Sequence, residues 1–227
     1  MPVYRRHRLV HVHIPKTAGT AVELLFRDRD GSSDNGHEWI GEGYHANRWF
    51  EYQHLTAGEL AVFAGRVFAE FDWFAIVRDP YQRLISDHLW RQTIATHFPD
   101  SFVPSHNTFE EFLAAIPTDV DDGWDVHAAG AERGWANLLI HVRPQHHFLR
   151  ARNGDPDPSI EVLAFEALPD ALDRFLEARG LRNERVQRTS LRPLANFFTP
   201  ETLRLVNERY ERDFITLGYP IRTSVEP

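Results

Sequence analysis

Cysteine is absent from all 227 residues, which excludes a disulfide framework and favours a soluble, cytoplasmic protein of bacterial type. No apolar run is long enough to span a bilayer. Arg5, Arg6 and Arg8 precede only the short apolar stretch 9–14, so the N-terminal segment lacks the apolar core of a signal peptide. Internal repeats and low-complexity tracts are also missing. The net charge is −8, and no basic cluster or nucleic-acid-reading motif interrupts it, which argues against nucleic acid or an anionic membrane as the principal partner. Among the 13 histidines, His11 and His13 share a strand face and His146 and His147 are adjacent, but neither set has the carboxylate or cysteine spacing of a metal site; core or rim packing is the better account, and no metal is expected. Lysine is the most telling scarcity. Of the 25 lysines and arginines, only Lys16 is a lysine.

Lys16 lies in Ile14-Pro15-Lys16-Thr17-Ala18-Gly19-Thr20. A guanidinium is a flat fork, whereas an ammonium is a point donor that can reach a single bridging oxygen between phosphate-type groups, as a leaving-group stabiliser must. Upstream, Leu9-Val10-His11-Val12-His13-Ile14 alternates and is rich in β-branched residues, so it reads as a strand. Downstream, Ala21-Val22-Glu23-Leu24-Leu25-Phe26 reads as a helix. A strand, a turn of small residues and a helix N-terminus together offer backbone N–H groups and a positive dipole end to an anion. Gly19 allows close approach, and Thr17 and Thr20 add hydroxyls. The stretch is not a Walker A loop, because Lys16 precedes the glycine and Gly-x-x-x-x-Gly-Lys-Ser/Thr is absent.

A second stretch, Trp73-Phe74-Ala75-Ile76-Val77-Arg78-Asp79-Pro80, runs from an apolar strand into a helix start, with Asp79 as N-cap and Pro80 at the first helical position. Arg78 therefore sits at the carboxyl end of a strand, the edge at which open α/β sheets bind ligands. Ser86 follows about two turns into the helix. Alone, Arg78 and Asp79 are as well explained as a local ion pair, and Ser86 as a polar face residue.

The coarse order is strand 8–14, helix 18–28, polar segment 29–53, helix 56–64, strand 73–77 and helix 80–97. Then follow helix 108–116, a Gly/Asp-rich loop 117–134, a mixed apolar segment 135–150, strand 160–165, helix 168–180 and a final helix 200–213. Thr56-x-x-Glu59 and Thr108-x-x-Glu111 read as capping boxes, and Thr199-Pro200 as a helix start. Strands alternating with helices predict an α/β fold: one domain, 1–227, with a central, mainly parallel sheet flanked by helices.

The two anion motifs, in this order and spacing, resemble those of the sulfotransferases that use 3′-phosphoadenosine 5′-phosphosulfate, especially the carbohydrate branch with the heparan 2-O and chondroitin enzymes. His13-Ile14-Pro15-Lys16-Thr17-Ala18-Gly19-Thr20 is similar to the 5′-phosphosulfate loop, and Val77-Arg78-Asp79-Pro80 with Arg83 and Ser86 to the 3′-phosphate motif. Arg143-Pro144-Gln145, the segment 162–168 and the closing Tyr210-Glu211-Arg212-Asp213-Phe214 with Leu217-Gly218-Tyr219 are further points of similarity. The resemblance implies a P-loop-like fold and sulfuryl transfer to an acceptor hydroxyl. It implies Pro15, Lys16, Thr17, Ala18, Gly19, Thr20, Arg78 and Ser86 as cofactor contacts and Lys16 as a catalytic residue.

The family places a catalytic histidine in a His-Leu segment similar to Gln53-His54-Leu55-Thr56, and a histidine titrates near neutrality, so His54 is the expected base. A histidine at a helix start with no chemistry is the competing account, and His45 and Glu42 are the substitutes. The loops 31–53 and 98–134 carry Trp39, Tyr44, His45, Trp49, Tyr52, His106 and Trp124, suited to stacking on sugar rings, which points to a small-molecule or glycan hydroxyl acceptor with His45, Trp49 and Trp124 in contact. The same aromatics would also serve to anchor long loops. Two other functions stay open: an atypical kinase or nucleotide hydrolase, and a silent nucleotide- or glycan-binding module.

Overall fold

The computed structural model describes residues 3–30, 42–45, 48–64, 70–117, 132–151 and 153–225. The chain forms two compact units. The first draws on Met1–Gly43, Glu51–Arg78 and His147–Thr189, the second on Tyr44–Phe50, Asp79–His146 and Ser190–Pro227.

The first unit is built on a four-stranded sheet in the order β1 (Val3–Tyr4), β2 (Leu9–Val12), β5 (Asp72–Val77), β6 (Ile160–Ala164). β2, β5 and β6 run parallel, with Val12 opposite Ala75 and Val77 opposite Ala164. The expected parallel sheet is thus present; β2 and residues 74–77 of β5 are buried as central parallel strands are, while the edge strand β6 leaves Glu161 and Val162 exposed. β1 is an addition: two residues, antiparallel to β2, reached through a 3₁₀ turn at Arg5–His7 that Arg8 closes at φ 54°. Helix α1 (Gly19–Asp30) contributes Val22, Leu25 and Phe26 to the core around the sheet's Leu9, Phe74, Ile76 and Leu163. Helix α7 (Asp170–Glu177) adds Ala171, Leu172, Phe175 and Leu176, an i, i+1, i+4, i+5 stripe whose larger side chains each contribute about 1.5–3 kcal/mol on burial. Helix α2 (Ala57–Ala64) starts at the expected capping box: Glu59 N–H donates to Thr56 Oγ1 (3.2 Å) and Thr56 N–H to Glu59 Oε2 (2.7 Å).

Two short strands, β3 (Glu42–His45) and β4 (Arg48–Glu51), pair as a separate sheet inside the stretch read from sequence as merely polar. Their four-residue lengths and mixed polarity carry too little alternation to register as strands.

Apart from the parts of β3 and β4 within Tyr44–Phe50, the regular elements of the second unit are helices. Helix α3 (Pro80–His97) has the bounds read from sequence, with Asp79 accepting from the N–H groups of Tyr81 (2.8 Å) and Gln82 (3.3 Å). Helix α4 (Phe109–Ala114) begins at the Thr108/Glu111 capping box. The mixed segment 135–150 becomes two helices, α5 (Arg133–Val142) and α6 (Gln145–Phe148). The expected final helix is also two, α8 (Pro200–Arg209) and α9 (Glu211–Leu217). The break falls at Tyr210, which is 1% exposed and donates its hydroxyl to the carbonyl of Val142 (2.7 Å) at the end of α5. Arg83 takes the neighbouring carbonyls, His141 (2.6 Å) and Arg143 (2.8 Å). Orphan carbonyls at a helix end thus receive donors from α3 and from the joint between α8 and α9. Asp213 ties α9 to α6 by accepting from the backbone N–H groups of Gln145 (2.7 Å) and His146 (2.8 Å). The sequence landmarks Arg143-Pro144-Gln145 and Tyr210-to-Asp213 are therefore one structural joint.

His11 lies wholly inside the first unit, stacked on Phe74 with ring centroids 4.7 Å apart, and neither ring nitrogen has a hydrogen-bond partner. Burial, and then the neighbouring His13, hold its pKa well below the usual value. The unfolded chain binds a proton at this residue below about pH 6.5 that the folded chain refuses, so its share of stability is full above that pH and is lost as the pH falls. His88 and His106 are lowered by burial too and add to the same acid loss. His11→Leu is expected to shrink the drop in urea midpoint between pH 8 and pH 5.5; an unchanged drop would remove His11 as a cause.

Candidate active site

The residues singled out around Lys16 form a single turn of unusual hand. Beyond β2 the Thr17 hydroxyl donates to the carbonyl of Ile14 (2.8 Å), closing the turn on itself. Lys16 has φ 69° and Ala18 φ 74°, with Thr17 between them on the ordinary side of the map. Non-glycine residues hold the left-handed conformation at a cost of about 1–2 kcal/mol each. Such strain gathers at sites where backbone direction matters more than local comfort. Alternating hand along a turn gathers successive N–H groups into an anion-binding concavity. Directly after it α1 begins at Gly19, where the first-turn N–H groups lack intrahelical acceptors. Lys16 is half-buried and Thr20 exposed.

Gly19 is required for space. A Cβ there would lie 1.9 Å from His13 Cδ2 and 2.0 Å from His13 Nε2. The imidazole edge of His13 occupies the room that any larger residue would need.

Parallel pairing of β2 with β5 sets two strand ends side by side. Arg78, at the end of β5, is 5% exposed; its Nη1 donates to the carbonyl of Lys16 (3.2 Å) and its guanidinium lies 4.2 Å above the Phe165 ring. The two sequence motifs therefore meet, with an arginine bracing the backbone of the lysine turn.

His54 ends a 3₁₀ turn at Tyr52–His54, just ahead of the α2 cap, and is buried. Its Nδ1 lies 2.9 Å from the carbonyl of His13. A carbonyl only accepts, so Nδ1 carries the hydrogen and Nε2 presents a lone pair. The Gln53 side-chain amide, 3.0 Å away, donates to that lone pair. The His54 ring meets His13 edge-on with centroids 4.5 Å apart. Lys16, Arg78 and His54 all belong to the first unit, whereas Ser86 lies half-buried on α3 in the second. For Glu42, His45 and Trp49 the structure describes the backbone of β3 and β4; Trp39 and Trp124 lie outside the described residues.

Two residues to which the sequence reading gave no site role now join the site. His13, read from sequence as packing, lies with Nδ1 2.6 Å from Glu23 Oε1, and Glu23 reaches it from the first turns of α1. The available signal was the ten-residue spacing of a histidine before the turn and a carboxylate on the helix after it, which becomes a contact only once the turn reverses the chain. Among the described residues no group of three His, Cys, Asp or Glu could hold a metal ion, and no helix is long and apolar enough to cross a membrane.

A family model described as the sulfotransferase family matches residues 2–220. The chain belongs to the sulfotransferase family. No curated protein and no solved structure gives a significant match. In this sulfotransferase the turn at residues 15–19 runs directly into α1 and is bonded by Arg78. Sulfate added at constant ionic strength should raise the thermal midpoint of the wild-type protein, since an anion at ten times its Kd stabilises the folded state by about 1.4 kcal/mol. Arg78→Ala should lose more than half of that rise; an equal rise in both proteins would detach Arg78 from the anion site.

Proposed function

We propose that the protein transfers the sulfuryl group of 3′-phosphoadenosine 5′-phosphosulfate to an acceptor hydroxyl on a carbohydrate or glycosylated small molecule. The observation that carries this reading is the left-handed turn at Lys16 and Ala18, which opens onto a helix N-terminus and is braced by Arg78. Members of the family generally use this donor, and its phosphosulfate suits a concavity of N–H groups with one ammonium beside it. The choice of a sugar acceptor rests on the aromatic residues of segments 31–53 and 98–134.

The donor supplies a sulfuryl group already attached to a good leaving group. Residues 16–20 hold the anion, and Lys16 stabilises the phosphate oxygen as its bond to sulfur breaks. His54 Nε2 withdraws the proton from the acceptor hydroxyl while that oxygen bonds to sulfur. The products are the sulfate ester, 3′-phosphoadenosine 5′-phosphate and a proton on His54, which passes to solvent. The hydrogen bond from His54 Nδ1 to His13 favours this role because it leaves Nε2 as the basic nitrogen. The Gln53 amide must yield that nitrogen to the hydroxyl.

Turnover of labelled donor separates this reading from a kinase, which would prefer ATP with magnesium, and from a silent module, which would bind without transfer. Lys16→Ala is expected to lower kcat on the order of 10²-fold or more, the scale for losing a preorganised charge-stabilising donor. Lys16→Arg should not restore the rate, since a fork cannot fill a point-donor position. Near-normal turnover by Lys16→Ala would defeat the assignment.

His54→Ala should reduce turnover about 10²–10⁴-fold while calorimetry shows the affinity for 3′-phosphoadenosine 5′-phosphate largely kept. If it turns over normally and His45→Ala or Glu42→Ala does not, the base is one of those residues.

A further inference from the structure

Three parts of the first unit meet at the imidazole of His13, which is 3% exposed. On one side Nδ1 donates to Glu23 Oε1 (2.6 Å) on α1. The Cδ2–Nε2–Cε1 edge fills the space beside Gly19, where a Cβ would sit 1.9 Å from Cδ2. The residue's own carbonyl accepts from His54 Nδ1 (2.9 Å). A ring face stacks on His11, with centroids 5.4 Å apart and planes 10° from parallel.

Core filling does not account for this. Burying an imidazole costs desolvation that a leucine avoids, and is offset only where its polar atoms find partners. His11, two residues earlier on the same strand, shows what packing alone looks like: both of its nitrogens are buried without hydrogen bonds. His13 differs by having a carboxylate on one nitrogen and the anion turn against the opposite edge.

We infer that His13 is a positioning residue that couples the anion turn to the base. Glu23 fixes the ring; the ring fixes the path of Gly19 and hence the start of α1; the carbonyl fixes the His54 tautomer. Neither His13 nor Glu23 is assigned a contact with reacting atoms. The inference rests on the sulfotransferase reading of Lys16 and His54 given above.

A double-mutant cycle tests it, read by calorimetry with 3′-phosphoadenosine 5′-phosphate and by turnover. Gly19→Ala alone should weaken nucleotide binding at least about tenfold, because the new methyl must displace the His13 ring, and a misplacement of about 1 Å in such a site can cost 10²-fold. In a His13→Ala background that room is vacant, so adding Gly19→Ala should cost less than about twofold more. His13→Ala by itself should lower kcat about tenfold or more while the acceptor KM stays within about threefold, the pattern of lost orientation, not lost acceptor binding. Glu23→Ala should reproduce the kcat loss, and Glu23→Gln, which keeps an oxygen to accept from Nδ1, should recover most of it. Additive losses for Gly19 and His13, or equal losses in Glu23→Ala and Glu23→Gln, would overturn the coupling. Urea midpoints of each variant separate misfolding from mispositioning. Should the wild-type protein bind no 3′,5′-bisphosphate nucleotide, the donor reading falls, and the coupling is then supported by non-additive midpoints for the Gly19 and His13 pair and overturned by additive ones.

Discussion

The register between β2 and β5 is the constraint on which the site depends. With Val12 opposite Ala75, the chain leaves both strands at the same edge, and Arg78 reaches the carbonyl of Lys16. A slip of one residue would turn every side chain of one strand to the other face and carry Arg78 away from the turn. The pairing is held by burial: Leu9, Val10, Val12, Phe74, Ala75, Ile76 and Val77 are all buried. The energy that fixes the Lys16 turn therefore comes largely from buried apolar surface. The polar bonds at the turn then select a hand for a backbone whose ends are already in place.

The second unit handles polarity differently. Asp87, 1% exposed, accepts from Arg91 Nε (2.8 Å) and His141 Nδ1 (2.6 Å), and Arg91 also donates to Asn137 Oδ1 (3.1 Å) and the carbonyl of Pro104 (3.2 Å). A buried pair of this kind adds little net stability over an apolar replacement, yet removing one partner costs about 3–5 kcal/mol. Its effect is to fix α3 against α5 in one alignment. Tyr210 acts in the same way, since burial raises its pKa and keeps its hydroxyl a donor to Val142.

The parts of the structure that were legible in the sequence are those governed by neighbours in the chain. Asp79-Pro80 marked the start of α3, Thr108/Glu111 that of α4, and the apolar run 73–77 a strand that extends one residue further, to Asp72. The joint at the break between α8 and α9 was hidden because the partner of the Tyr210 hydroxyl, the Val142 carbonyl, lies 68 residues away. Within the site, Lys16 and Arg78 stood out by composition and by position at strand ends. The role of Gly19 was legible only in part: backbone approach is a local property, while the imidazole against it belongs to His13 on the far side of the turn. His13 itself read as packing because nothing in its immediate sequence reveals a carboxylate ten residues on.

The scarcity of lysine has a practical side. Lys16 is the only side-chain amine in the protein, and it is half-buried in a braced turn. An amine-selective acylating reagent can therefore modify one side chain only, with the chain's α-amino group as the sole other target. The mass added to the peptide containing Lys16 becomes a direct measure of how open the turn is to solvent. Any small anion that fills the turn must slow that labelling, so occupancy can be followed by mass spectrometry without an acceptor, without turnover and without altering the sequence.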